Sequence, residues 1–193
     1  MEELSEALRA VERELNFAKK AYNSILYLYW AVAFLVIYLA SSVLSTYTGA
    51  SASSLRVLLS AVAILFFVFE ELKASKKVRE IERILGRKTP LNPRYLLTQA
   101  LVWPVVIVIV SVFVRDIWLF SLIGIGLGML ALAVVDHAFL REGWDKALVG
   151  MTLLLLSVPY GRVPINNGAY VTLALSLAFG LGAYLSLRRA MRE

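Results

Sequence analysis

The sequence predicts an all-α, polytopic membrane protein: six transmembrane helices with both termini inside, a cytoplasmic N-terminal helix, and a cytoplasmic extension of the second transmembrane helix. Three observations carry this. Sixty per cent of the 193 residues are hydrophobic and only 18% are charged, whereas about a quarter of an average soluble chain is charged. The charges gather between long apolar runs, so those runs are solvated by lipid rather than hidden in a small core. Finally, Lys and Arg alternate between dense and sparse from one loop to the next, as they do when positive charge is retained on the cytoplasmic side.

Residues 1–20 read as a helix outside the bilayer, since Leu4, Leu8, Val11 and Leu15 recur at helical spacing on one face. Five Glu and no apolar run before a small-residue site argue against a cleavable signal here. Neither Gly nor Pro interrupts the way into the first span, 22–44, so the arm is expected to continue into the membrane. Tyr27, Trp30, Phe34 and Tyr38 share one face of that span, a stripe suited to helix packing and interfacial anchoring.

The second span is 55–71. Arg56 is expected to snorkel towards the near interface, with Glu70 and Glu71 marking the far one. Glu70–Leu85 lacks Gly and Pro, so this helix should run on until Gly86, with Pro90 and Pro93 ensuring the break. At about 1.5 Å per residue the extension projects roughly 20 Å from the bilayer. Its Leu72, Val78, Ile81 and Leu85 stripe predicts antiparallel pairing with the N-terminal arm. The segment 72–94 forms the basic cytoplasmic helix and loop.

Spans 95–114 and 117–136 are separated by Arg115-Asp116 and form a tight hairpin. Pro104 predicts a kink in the third span, where Gln99 and Ser111 supply polar groups. The fifth, 144–159, is short and ends at Pro159-Tyr160-Gly161; the sixth, 168–187, is full length. Small residues let membrane helices approach closely, which nominates Gly124 and Gly128 on the fourth span and Gly180 and Gly182 on the sixth. They are expected to join these two helices or two copies of the chain. No internal repeat or linker divides residues 1–193, which form one domain.

Counting Lys and Arg by loop sets the orientation. The arm holds four, Glu70–Arg94 eight, Arg141 and Lys146 two, and the C-terminal end three, whereas Arg56, Arg115 and Arg162 are alone on the other side. Seventeen against three places both termini in the cytoplasm, and the plasma membrane of a prokaryote is the expected location. One Gln and five Asn in the whole chain fit a thermophilic source.

Function is constrained mainly by what is missing. Without Cys there are no disulfides, thiol nucleophiles or thiolate metal ligands. Apart from Arg56, Glu70, Glu71, Asp136, Asp145 and Lys146 at their ends, the six apolar spans hold no Asp, Glu, Lys, Arg or His, which argues against proton-coupled pumps and intramembrane hydrolases, since these need ionisable groups near the midplane. Asp136, His137, Arg141, Glu142 and Asp145 could in principle form a metal or acid–base site, but one His without a spaced second ligand pair is a weak signal, and a solvated helix end and loop is the expected reading. No catalytic, cofactor-binding or metal-ligating residue is assigned.

Lys73, Lys76, Lys77, Arg79, Arg83, Arg87 and Lys88 are the candidate docking residues for a cytoplasmic protein partner or anionic lipid. Nucleic acid is not expected, because stacking aromatics are absent from this segment. The expectation is a non-enzymatic membrane subunit or scaffold, for example of a transport assembly, which contacts membrane lipid and a protein partner or a second copy. The alternative is a self-sufficient carrier or channel for an uncharged or lipidic solute. A membrane enzyme using Asp136 and His137 ranks third.

Overall fold

A computed structural model describes residues 2–84 and 93–191. Six helices follow one another: α1 (Glu2–Thr48), α2 (Ala52–Ile84), α3 (Pro93–Phe113), α4 (Ile117–Leu140), α5 (Trp144–Ser157) and α6 (Asn167–Ala190). Among the described residues there is no strand. Their boundaries follow local chemistry. Helix α1 runs unbroken for 47 residues and stops where Gly49 turns left-handed at φ +67°. Pro93 opens α3, where its missing amide costs no helical hydrogen bond. Asp116 caps α4 by accepting from the amides of Trp118 at 2.8 Å and Leu119 at 3.0 Å. Asn166 caps α6 through Gly168 N–H at 2.9 Å.

Four helical stretches are long and apolar enough to cross a bilayer: Ala21–Thr48, Arg94–Phe113, Ile117–Leu140 and Asn167–Ala190. This marks a membrane protein. The second and fifth predicted spans are helical but short. The apolar part of α2 is Ala52–Phe67, and α5 has only 14 residues, about 21 Å of helix against a hydrocarbon core of about 30 Å. The six-span count therefore rests on sequence alone.

Helix α5 is nevertheless pinned to α4 at two levels. Near its start Lys146 meets Asp136, and just beyond its end Tyr160 donates to Asp116 at 2.8 Å. Those two aspartates are separated by most of α4, so α5 and its following turn together cover the length that α4 covers alone.

The most deeply set helix is α6, which touches α1, α4 and α5. Ala174, Leu175, Ala178, Phe179 and Ala183 are buried there against Tyr27, Ala31, Val149 and Leu153. Ser24 Oγ donates to the Ala183 carbonyl at 2.7 Å, tying α1 to α6. Helix α3 lies on the far side of α4, where Val102, Val106 and Val110 meet Phe120, Ile123 and Leu127. Helix α2 packs along α1, held by Tyr29, which donates to the Ala63 carbonyl at 2.9 Å and stacks on Phe66 and Phe67. Helices α4, α5 and α6 thus pack mutually, with α3 outside α4 on one side and α1, then α2, outside α6 on the other. Leu65 is 70% exposed and Val112 71%, surfaces that lipid tolerates and water does not.

Several expectations meet these coordinates directly. The aromatic stripe of α1 faces inward, with Tyr27 buried and Trp30 and Phe34 against the core. Helix α1 does continue from the arm into its apolar stretch, and α2 continues to Ile84. Helix α3 runs through Pro104 as one helix. Of the two stripes expected to pair, Val11 is 41% exposed; the side chains of Leu4, Leu8, Leu15, Leu72, Val78 and Ile81, and Leu85 altogether, lie outside the described residues.

Candidate functional site

The polar groups of the bundle concentrate at its two ends. At one end, Asp136 sits one turn before the end of α4 and is 6% exposed, which corrects the reading of this residue as part of a solvated helix end. Its Oδ1 accepts from Tyr95 Oη at 2.9 Å and Gln99 Nε2 at 3.0 Å, both on α3. Its Oδ2 takes the Lys146 ammonium from α5. A buried carboxylate demands such partners, and here they draw three helices together. Both oxygens are engaged, and the carboxylate clamps α3 and α5 onto α4.

A second pair lies beside it. Asp145 on α5 accepts from Ser186 Oγ and Arg189 Nη1 on α6, each at 3.2 Å. His137 does not join either group: it is exposed, and its ring meets Trp144 edge-on with centroids 6.4 Å apart. Arg141 and Glu142 are exposed too. Among the described residues no three His, Asp or Glu side chains are grouped to hold a metal. Sequence reasoning missed Tyr95 and Lys146 as partners of Asp136. The available signal was Gln99, the one Gln of the chain, set in an apolar run.

The glycines nominated for packing divide. A Cβ on Gly128 would run into the Trp103 ring of α3, and one on Gly182 would lie 2.6 Å from Val149 of α5. Gly180 faces open space, and Gly124 meets nothing closer than Phe120 of its own helix. Two glycines that were not nominated bring the α4 and α5 backbones together. A Cβ on Gly150 of α5 would lie 2.7 Å from the Gly126 carbonyl oxygen of α4.

At the opposite end, Asp116 is held below the usual carboxylate range, first by the Leu119 amide and then by the Tyr160 hydroxyl. Burial, and then the bond to Asp116, push the Tyr160 phenol up to about 12. The sign is set by the lowered carboxyl: its stabilisation is complete above its ordinary value of about 4 and is lost as pH falls through the depressed one. Asp116→Asn keeps a capping oxygen but cannot titrate. Its melting temperature in micelles should therefore fall less than wild type between pH 5 and pH 2; an unchanged slope would remove Asp116 from the acid transition.

Arg56, expected at the near interface, is held by side chains of other helices. Its guanidinium lies over the Tyr38 and Trp118 rings, 4.9 and 5.0 Å from their centres. Of the docking residues, Lys73 and Lys76 are exposed on α2. Lys73 pairs with Glu70 at 3.0 Å and lies 4.4 Å from the Phe69 ring centre. The side chains of Lys77, Arg79 and Arg83, and residues Arg87 and Lys88, lie outside the described residues. Between α1 and α2 runs an apolar groove of about 460 Å³, bordered by Ile25, Leu28, Tyr29, Val32 and Ala63 among others. No known protein family, curated protein or solved structure matches this chain.

Proposed function

We propose that the chain is a non-enzymatic, membrane-embedded subunit, with both termini in the cytoplasm of a prokaryote, that docks a cytoplasmic partner through the basic continuation of α2. One observation carries the reading. Helix α2 lies at the edge of the bundle, packed along α1 and reaching α4 among the described residues through Arg56 near its start, and continues past its apolar stretch to Ile84 as unbroken helix. A helix packed on one side only keeps its other faces available, and a basic rod with exposed Lys73 and Lys76 suits an acidic surface. Engagement of both oxygens of Asp136 speaks for a structural role of that carboxylate and against ion handling.

The test is the mass of the full chain extracted from its native membrane in mild detergent. Wild type should sediment as a complex of fixed stoichiometry. Lys73→Glu combined with Lys76→Glu should release the partner by about tenfold or more, because charge reversal at an interface costs several kcal/mol. A homogeneous single-component protein that moves an uncharged solute into vesicles would replace this reading with that of a self-sufficient carrier.

A further inference from the structure

Among the described residues no carboxylate pairs with Arg56. It occupies the second turn of α2, where the apolar stretch begins and lipid phosphates would lie. Its guanidinium lies over the rings of Tyr38 from α1 and Trp118 from α4. Its Nε donates to Ser41 Oγ at 3.1 Å. Ser41 is 0% exposed and its own proton goes to the Tyr38 carbonyl at 2.9 Å, which turns its lone pairs towards the arginine. Trp118 is fixed in turn, since a Cβ on Gly168 of α6 would lie 2.9 Å from its ring.

The guanidinium is thus oriented by three helices, while among the described residues nothing accepts from its two terminal nitrogens. The surroundings offer no natural counter-ion. The turns at this end, 49–51, 114–116 and 158–166, contain Arg115, Arg162 and a single carboxylate, Asp116. Asp116 is committed to the amides of α4 and to Tyr160.

We propose that Arg56 is the centre of a phosphate-binding site, which takes the oxyanion of a lipid headgroup or of free phosphate on its terminal nitrogens. A planar fork matches two phosphate oxygens at once. Holding that fork over the rings removes the ordering cost that a free arginine side chain carries.

The experiment uses the full chain in phosphate-free maltoside micelles, read by native mass spectrometry against added phosphatidylglycerol and, separately, inorganic phosphate. Wild type should retain one phosphatidylglycerol. Arg56→Gln should weaken retention about tenfold or more, as expected for the loss of charge-assisted bonds. Arg56→Lys keeps a cation over the rings but has no fork, and should also bind more weakly. Arg162→Gln should match wild type. Displacement of the lipid by millimolar inorganic phosphate identifies a site open to free phosphate, and failure of displacement identifies one that needs the lipid. Either result supports the site. Equal retention by wild type and Arg56→Lys, an equal loss in Arg162→Gln, or no binding of either probe by wild type overturns it. The lysine variant decides the matter should the glutamine variant not fold.

Discussion

Lys146→Met should destabilise the protein more than Asp136→Asn does, although both break the same ion pair. The asymmetry comes from where each surviving partner can go. Lys146 retains 29% side-chain exposure and Asp136 only 8%. When the aspartate is neutralised, the ammonium can swing to solvent on its flexible stem, and an Asn oxygen can still accept from Tyr95 or Gln99. The cost is then about 1–3 kcal/mol, that of lost charge-assisted bonds. When the lysine is removed, the carboxylate stays buried with two neutral donors and no cation. Breaking a buried pair in this way costs about 3–5 kcal/mol. Asp136→Leu with Lys146→Met should recover much of the loss, because no uncompensated charge remains. Unfolding in mixed micelles measures all three variants. Equal losses for the two single variants would mean that Asp136 reaches water after all.

The second large effect is expected at Gly150. A methyl group there would lie 2.7 Å from the Gly126 carbonyl and 2.8 Å from Leu130 Cγ. The first neighbour is backbone and cannot yield by changing rotamer. Gly150→Ala must therefore push α4 and α5 apart, at a cost of about 3 kcal/mol. Gly180→Ala, on a helix of the same bundle but facing open space, should be neutral or gain up to about 1 kcal/mol from helix propensity. Melting both variants in one detergent gives the ranking directly. If Gly150→Ala were as stable as Gly180→Ala, the α4–α5 contact would have to be looser than its geometry.

That contrast also shows how far the sequence could be read. Gly124, Gly126 and Gly128 stand out as a small-residue stretch in an apolar run, so close packing on α4 was legible. The partner was not. Spacing nominated α6 or a second copy of the chain, yet Gly126 meets α5 and Gly128 meets α3, because glycines two residues apart point to nearly opposite sides of a helix, about 200° around it, and only the packed bundle decides which side is occupied. Asp136 was visible as a charge near a helix end, where solvation is the usual explanation. Its donors come from residues 37 and 41 positions earlier, a distance over which no local pattern carries information. Arg56 was legible as an interfacial arginine, but its ring partners arrive from two other helices.

Hydropathy and the placement of Gly, Pro and capping residues were sufficient to determine that this chain is helical, that it belongs in a membrane, and nearly where each helix starts and stops. Those properties are local, because in lipid a backbone must satisfy its hydrogen bonds within its own segment. Tertiary structure alone decided which faces meet, that α2 stands at the edge beside α1, and that a buried carboxylate and a ring-bound arginine mark the two ends. In a bilayer, exposing an apolar face costs little whichever way it turns, so each helix's rotation is set by close packing and by a few polar bonds between segments distant in the chain.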